Sequence, residues 1–180
     1  MTKPITPPPR RARETEPGPP PAAESFPQKI VSGGQTGVDR AALDVALQLA
    51  IPCGGWCPKG RLAEDGVIAE RYPLTETASA DADERTRLNV RDADATLILN
   101  SGPLAGGTRR TAELAGDMAR PHLVVNLDDA ASTPAAAAAW LARVRPQTLN
   151  VAGPRASKAP GVHEKAAAYL RALLALTRST

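Results

Sequence analysis

Lys29-Ile30-Val31-Ser32-Gly33-Gly34-Gln35-Thr36-Gly37-Val38-Asp39-Arg40-Ala41-Ala42-Leu43-Asp44 changes character twice within a few residues. Lys29–Val31, with the β-branched pair Ile30-Val31, reads as a short strand. Ser32–Gly37 is a glycine turn, because glycine reaches positive φ without a Cβ penalty. From Val38 to about Ala50 the apolar residues Val38, Ala42, Val45, Ala46 and Leu49 recur at helical spacing, with Arg40, Asp44 and Gln48 as a polar stripe. Pro52 ends the helix. Strand, glycine turn, helix is the opening unit of an α/β fold that uses parallel strands. Within it, Thr36 stands where an N-cap would, Asp39 suits the helix dipole, and Arg40 stands four residues before Asp44.

The same unit repeats downstream. A second short strand is expected near Gly54–Trp56, then a polar, irregular stretch from Cys57 to about Ala80, long enough to be a binding loop or lid. A helix is predicted over Asp81–Arg91 and a buried strand over Ala95–Leu99. Ser101-Gly102-Pro103-Leu104-Ala105-Gly106-Gly107-Thr108 then turns into a helix that continues to about Met118. His122–Leu127 reads as a strand, Pro134–Val144 as a helix, Thr148–Ala152 as a strand ending in Gly153-Pro154-Arg155, and Gly161 to Leu176 as the last helix. Alternation of this kind implies right-handed crossovers. The expected architecture is a Rossmann-like, doubly wound parallel sheet of about five strands in an α-β-α sandwich.

Residues 1–27 have a different composition. They hold half of the 18 prolines, and Ile5 and Phe26 are nearly their only large apolar side chains. Such a segment buries too little surface to offset its ordering entropy, so a disordered, proline-rich tail is expected before a domain spanning 28–180.

Composition excludes several function classes. The net charge of +3 comes from 22 basic and 19 acidic residues scattered along the chain, too diffuse for a nucleic-acid face. No apolar run is long enough for a bilayer, and no signal-peptide pattern opens the chain, so a cytoplasmic protein is expected. Cys53 and Cys57 fit either a disulfide or two reduced thiols, and with His122 and His163 they do not compose a four-ligand zinc site. No nucleophile–His–Asp arrangement and no metal cluster is readable. Glu64-Asp65 fits either an acid–base pair or a solvated loop.

What the sequence does offer is an anion site. Glycine follows three strands: Gly33-Gly34, Gly106-Gly107 and Gly153. In an open parallel sheet, ligands bind beyond the carboxyl ends of the strands. There, glycine lets the backbone approach closely, and the next helix supplies free N–H groups and partial positive charge. The backbone of Gly33, Gly34, Gln35, Thr36 and Gly37, that of Gly106, Gly107 and Thr108, and the turn at Gly153 form the expected cradle. Thr36, Thr108, Thr111 and Ser157 are candidate hydroxyl donors, and Lys59 or Arg61 would close the long loop over a small phosphorylated ligand.

In order along the chain, five stretches resemble the molybdenum carrier proteins. They are Ile30–Asp44; Gly55-Trp56-Cys57-Pro58-Lys59-Gly60-Arg61 with Ala63–Gly66; Arg85-Thr86, Asn89-Val90 and Asp92–Thr96; Gly102-Pro103-Leu104 with Gly106-Gly107-Thr108 and Thr111; and Leu149–Arg155 with Ser157 and Pro160-Gly161. Asn89 and Ser101, within or beside these motifs, complete the candidate set. The resemblance covers residues 29 to 176. It implies a Rossmann-like domain in the superfamily of the lysine-decarboxylase-like phosphoribohydrolases, and a dimer or tetramer. It also implies carriage of molybdenum cofactor (molybdopterin, a phosphorylated pterin whose dithiolene holds the metal) to a recipient molybdoenzyme. No catalytic and no metal-ligating residue is assigned. Two alternatives are an N-glycosidic nucleotide hydrolase and a nucleotide-sensing module contacted through the tail. The hydrolase motif Pro-Gly-Gly-x-Gly-Thr-x-x-Glu is met by Ala105–Glu113, which keeps the glycine pair and Glu113 but has Arg109 where the second turn glycine belongs.

Overall fold

The computed structural model describes residues 26–178; the proline-rich tail lies almost wholly outside them. The central sheet is parallel and five-stranded, with Cys53–Gly54 (β2), Lys29–Val31 (β1), Thr148–Ala152 (β9), Ala95–Asn100 (β7) and His122–Asn126 (β8) side by side in that order. Along the chain the elements are β1 (Lys29–Val31), α1 (Val38–Gln48), β2 (Cys53–Gly54), then four short strands outside the central sheet, β3 (Trp56–Cys57), β4 (Leu62–Ala63), β5 (Gly66–Val67) and β6 (Thr75–Glu76). These are followed by α2 (Ala82–Asp92), β7 (Ala95–Asn100), α3 (Gly106–Asp117), β8 (His122–Asn126), α4 (Pro134–Val144), β9 (Thr148–Ala152) and α5 (Val162–Arg178).

The sheet is covered on both sides. All six residues of β7 are buried. Its alternate residues Ala95, Leu97 and Leu99 join Ile30, Leu149 and Val151 in the core beneath α1, α4 and α5. On the other side α2 packs on α3 through Val90, Leu114 and Ala115. With only 3% aromatic residues, the core is made of Ile, Leu, Val and Ala, with Trp140 as its largest ring. Each fully buried Leu or Ile contributes about 1.5–3 kcal/mol relative to exposure.

Right-handed crossovers assign each helix its side. The crossovers through α1 and α4 run toward the β2 edge on one face; those through α2 and α3 run toward the β8 edge on the other. Helix ends follow their sequence signals. Asp81 caps α2 by accepting from Asp83 N at 3.0 Å, and Thr133 caps α4 by accepting from Ala136 N at 3.2 Å, with Pro134 in the first turn.

The segment 57–80, expected as an irregular binding loop or lid, holds short ladders. β3 pairs with β6 in parallel, and β4 with β5 as a hairpin. Arg61 ties the segment together by donating to the carbonyls of Ile68, Ala69, Tyr72 and Leu74 at 2.9–3.1 Å. Both cysteines are free thiols; burial raises the pKa of each, which keeps them protonated at neutral pH. Among the described residues no helix is long and apolar enough to cross a membrane.

Candidate functional site

The topology locates the site. β9 is followed by α5 on one face of the sheet, and its neighbour β7 by α3 on the other. Their chains diverge past the carboxyl ends and leave a crevice between them. A cleft of about 620 Å³ occupies this place. Its walls come from the ends of β7 (Asn100, Ser101) and β9 (Ala152, Gly153), the β1–α1 loop and first turn (Gln35, Asp39), α2 (Arg85, Thr86) and the start of α3.

The start of α3 is the polar end of the cleft. Its N-cap is Ala105, which has no side chain able to accept from the first-turn N–H groups. Gly106, Gly107, Thr108 and Thr111 line the cleft, and a Cβ at either glycine would meet nothing within 4 Å. Thr111 Oγ1 donates to Gly107 O at 2.9 Å. The helix therefore presents unpaired amides and partial positive charge to open space.

Asp39 and Arg85 form the floor. Asp39 is only 2% exposed although it opens α1. Its Oδ2 accepts from Arg85 Nη1 at 2.8 Å, and the nearby backbone of Gln35 and Gly153 favours the charged carboxylate. Burial pushes the Asp39 pKa up, and Arg85 with the two backbone groups opposes that shift. Arg85, Arg155 and Lys158 place three cations around the cleft against this one carboxylate, so the site suits an anion.

A latch closes one rim. Glu64, at the tip of the β4–β5 hairpin, accepts from Ser157 N at 3.1 Å, Ser157 Oγ at 2.5 Å and Thr36 Oγ1, with Arg155 Nε at 3.4 Å. Gln35 Oε1 accepts from Glu64 N at 2.9 Å and Thr36 N at 3.0 Å. The hydrogen bond from Ser157, then that from Thr36, lowers the Glu64 pKa. Three loops from distant parts of the sequence meet on this carboxylate.

Comparison with known proteins gives the family. Residues 30–174 match the model of the circularly permutated YpsA SLOG family. The chain belongs to that family. It is also similar to a protein of Syntrophus aciditrophicus, solved at 1.45 Å and described as a "Putative molybdenum carrier protein": 43% identity, TM-score 0.79, 83% of this chain and 96% of that one covered. No curated protein matches.

Within this SLOG domain the expected site residues divide into groups. Gln35, Ser101, Gly106, Gly107, Thr108, Thr111 and Gly153 line the cleft together. Gly33 lies beneath it in a small adjoining recess with Arg85 and Asn89. Gly34 and Gly37 shape the β1–α1 turn at φ +75 and +77, and Gly37, not Thr36, is the residue before α1. A Cβ on Gly37 would fall 2.4 Å from Pro154 O, so the glycine allows the two loops to cross. Thr36 and Ser157 face Glu64, and Arg61 faces its own loop. Asn89 holds the backbone of Trp56, accepting from its N at 2.8 Å and donating to its O at 2.9 Å. Lys59 is exposed and outside the cleft wall. Ser101 Oγ donates to Asp128 Oδ2 at 2.6 Å.

Asp39, Arg85 and Asn100 are cleft residues outside the expected set, and Arg155 and Lys158, the two cations of the glycine turn after β9, line the cleft with them. Asp39 reads as a dipole partner for α1 until α2 is placed beside it. Arg40 does not pair with Asp44; it bonds Gly34 O and Asp65, while Asp44 takes Tyr72 Oη at 2.6 Å and His163 Nε2 at 3.0 Å. His163 is thus partly buried and partnered, and His122 is exposed at the start of the edge strand β8.

Proposed function

We propose that the cleft binds molybdenum cofactor as cargo, and that the protein stores it and passes it to a molybdoenzyme. The observation that carries the reading is the uncapped start of α3 facing Arg85 across a cleft of about 620 Å³. That volume falls within the roughly 300–1,000 Å³ of small-molecule sites. The phosphate would sit on the amides of Gly106–Thr108 with Arg85 opposite, flanked by Lys158 and Arg155. The pterin would lie toward Gln35 and Gly153. The metal would arrive held by the dithiolene of the pterin, and the description of the Syntrophus relative supports that choice of cargo. In this reading the protein works in the cytoplasm as a dimer or tetramer.

The hydrolase alternative relies on Glu113. Its side chain is half exposed, engages Arg109 and Arg110 on the outside of α3, and is not part of the cleft wall. No other observation favours it.

Mass spectrometry and metal analysis of protein purified under mild conditions test the proposal. A phosphorylated pterin and molybdenum in equal amounts are expected. A nucleotide in their place would replace the carrier reading by a nucleotide-binding one.

A further inference from the structure

A carboxylate at the floor of an anion site needs a reason. Asp39 is almost wholly buried, and it takes only one nitrogen of Arg85, whose side chain is 17% exposed and lines the cleft. Arg85 has five N–H donors in a planar fork, so the pair leaves donors free for a second acceptor. Any oxyanion between Arg85 and the start of α3 shares that guanidinium with Asp39 and lies within one side-chain length of a like charge. The positive groups around it are Arg85 from α2 and Arg155 and Lys158 from the β9–α5 loop; Arg155 is itself engaged by Glu64. Two of the three cations are therefore already partly neutralised by carboxylates before any ligand arrives.

Resting on the phosphate-binding reading of the same cleft, we propose that Asp39 is the affinity-setting residue of the site: by holding Arg85 and opposing the bound anion, it keeps the grip on phosphate weak enough for release. Asp39 acts through Arg85 and is a positioning residue. Asp39 lines the cleft beside Gln35 and Gly153, so its charge faces the same space as the bound anion. A purely structural carboxylate and an affinity-setting one then differ in sign. Loss of a structural role weakens binding. Loss of a competing charge strengthens it.

Asp39→Asn separates the two, because it keeps an oxygen facing Arg85 and removes the charge. Calorimetric titration of the full chain with inorganic phosphate at low salt is the test, on wild type, D39N, R85Q and the double variant, each checked for a native circular-dichroism spectrum. D39N is expected to bind phosphate about tenfold more tightly than wild type, R85Q more weakly, and the gain from D39N to be smaller in the R85Q background. Equal or weaker binding by D39N overturns the inference and leaves the phosphate site standing. An equal gain in both backgrounds overturns the route through Arg85. No phosphate binding by wild type or D39N overturns both this inference and the phosphate site. If D39N does not fold, D39S carries the same expectation in a smaller volume.

Discussion

The Arg85 guanidinium occupies the space where a side chain at position 33 would begin: a Cβ on Gly33 would lie 1.6 Å from Arg85 Nη1 and 2.8 Å from Asp39 Oδ2. The glycine is thus the seat of the ion pair. Gly33→Ala is expected to dislodge Arg85, a flexible side chain that can move, and leave Asp39 buried without its partner. The cost should be about 1–3 kcal/mol by urea unfolding, together with loss of phosphate binding. Retention of wild-type phosphate affinity in this variant would remove Arg85 from the site.

Gly153 is a different case. A Cβ there would meet the Leu99 backbone oxygen at 2.2 Å and Val38 Cγ2 at 2.6 Å. Neither neighbour can swing away, since one is the backbone of β7, a wholly buried strand, and the other is core. Gly153→Ala should therefore cost about 3 kcal/mol or more, by forcing β9 away from β7. Thermal unfolding unchanged within a degree would show that the loop is softer than this packing implies.

Much of the fold was legible because it is periodic. The bounds of α4 and β9 agree with the pattern at Pro134–Val144 and Thr148–Ala152, where a proline start, a cap and a short apolar run all point the same way. The segment 57–80 was not legible as structure. Ladders of two residues show no alternation, and Arg61 holds them through carbonyls, which carry no sequence signal. The glycines of the cleft announce themselves; its charged floor does not. Asp39 and Arg85 lie 46 residues apart and meet only after α2 crosses the sheet. Thr36 and Ser157, legible as hydroxyl donors, find Glu64 as their partner because the hairpin brings it there.

Glu64 carries a pH dependence. Its pKa is lowered, first by Ser157 and then by Thr36, so the folded state holds the charged carboxylate more firmly than the unfolded chain does. That stability is present above the unfolded value of about 4.3 and is lost as pH falls through the lower folded value. Glu64→Gln should therefore be less stable than wild type at pH 7, with the difference shrinking below about pH 4. Amide exchange of Arg61–Ile68 should quicken in E64Q at neutral pH. A constant stability difference across the acid range would show that the lost partner is steric, not ionic.

A substitution at Gly107 separates the anion cradle from the helix that builds it. Gly107 sits in the first turn of α3 with open space around its missing Cβ, so the fold tolerates a side chain there. Aspartate at that position would place a carboxylate among the free amides, where the helix dipole favours it by about 0.5 kcal/mol. It would also fill the place proposed for the phosphate with a fixed negative charge. Gly107→Asp is thus expected to hold or raise the unfolding midpoint while abolishing phosphate uptake. Both quantities come from one melting experiment run with and without phosphate: the wild-type midpoint rises with phosphate, and that of the variant does not. A phosphate-dependent rise in G107D equal to that of wild type would move the anion site away from α3. A lowered midpoint without phosphate would mean that the first turn is already satisfied by contacts inside the chain.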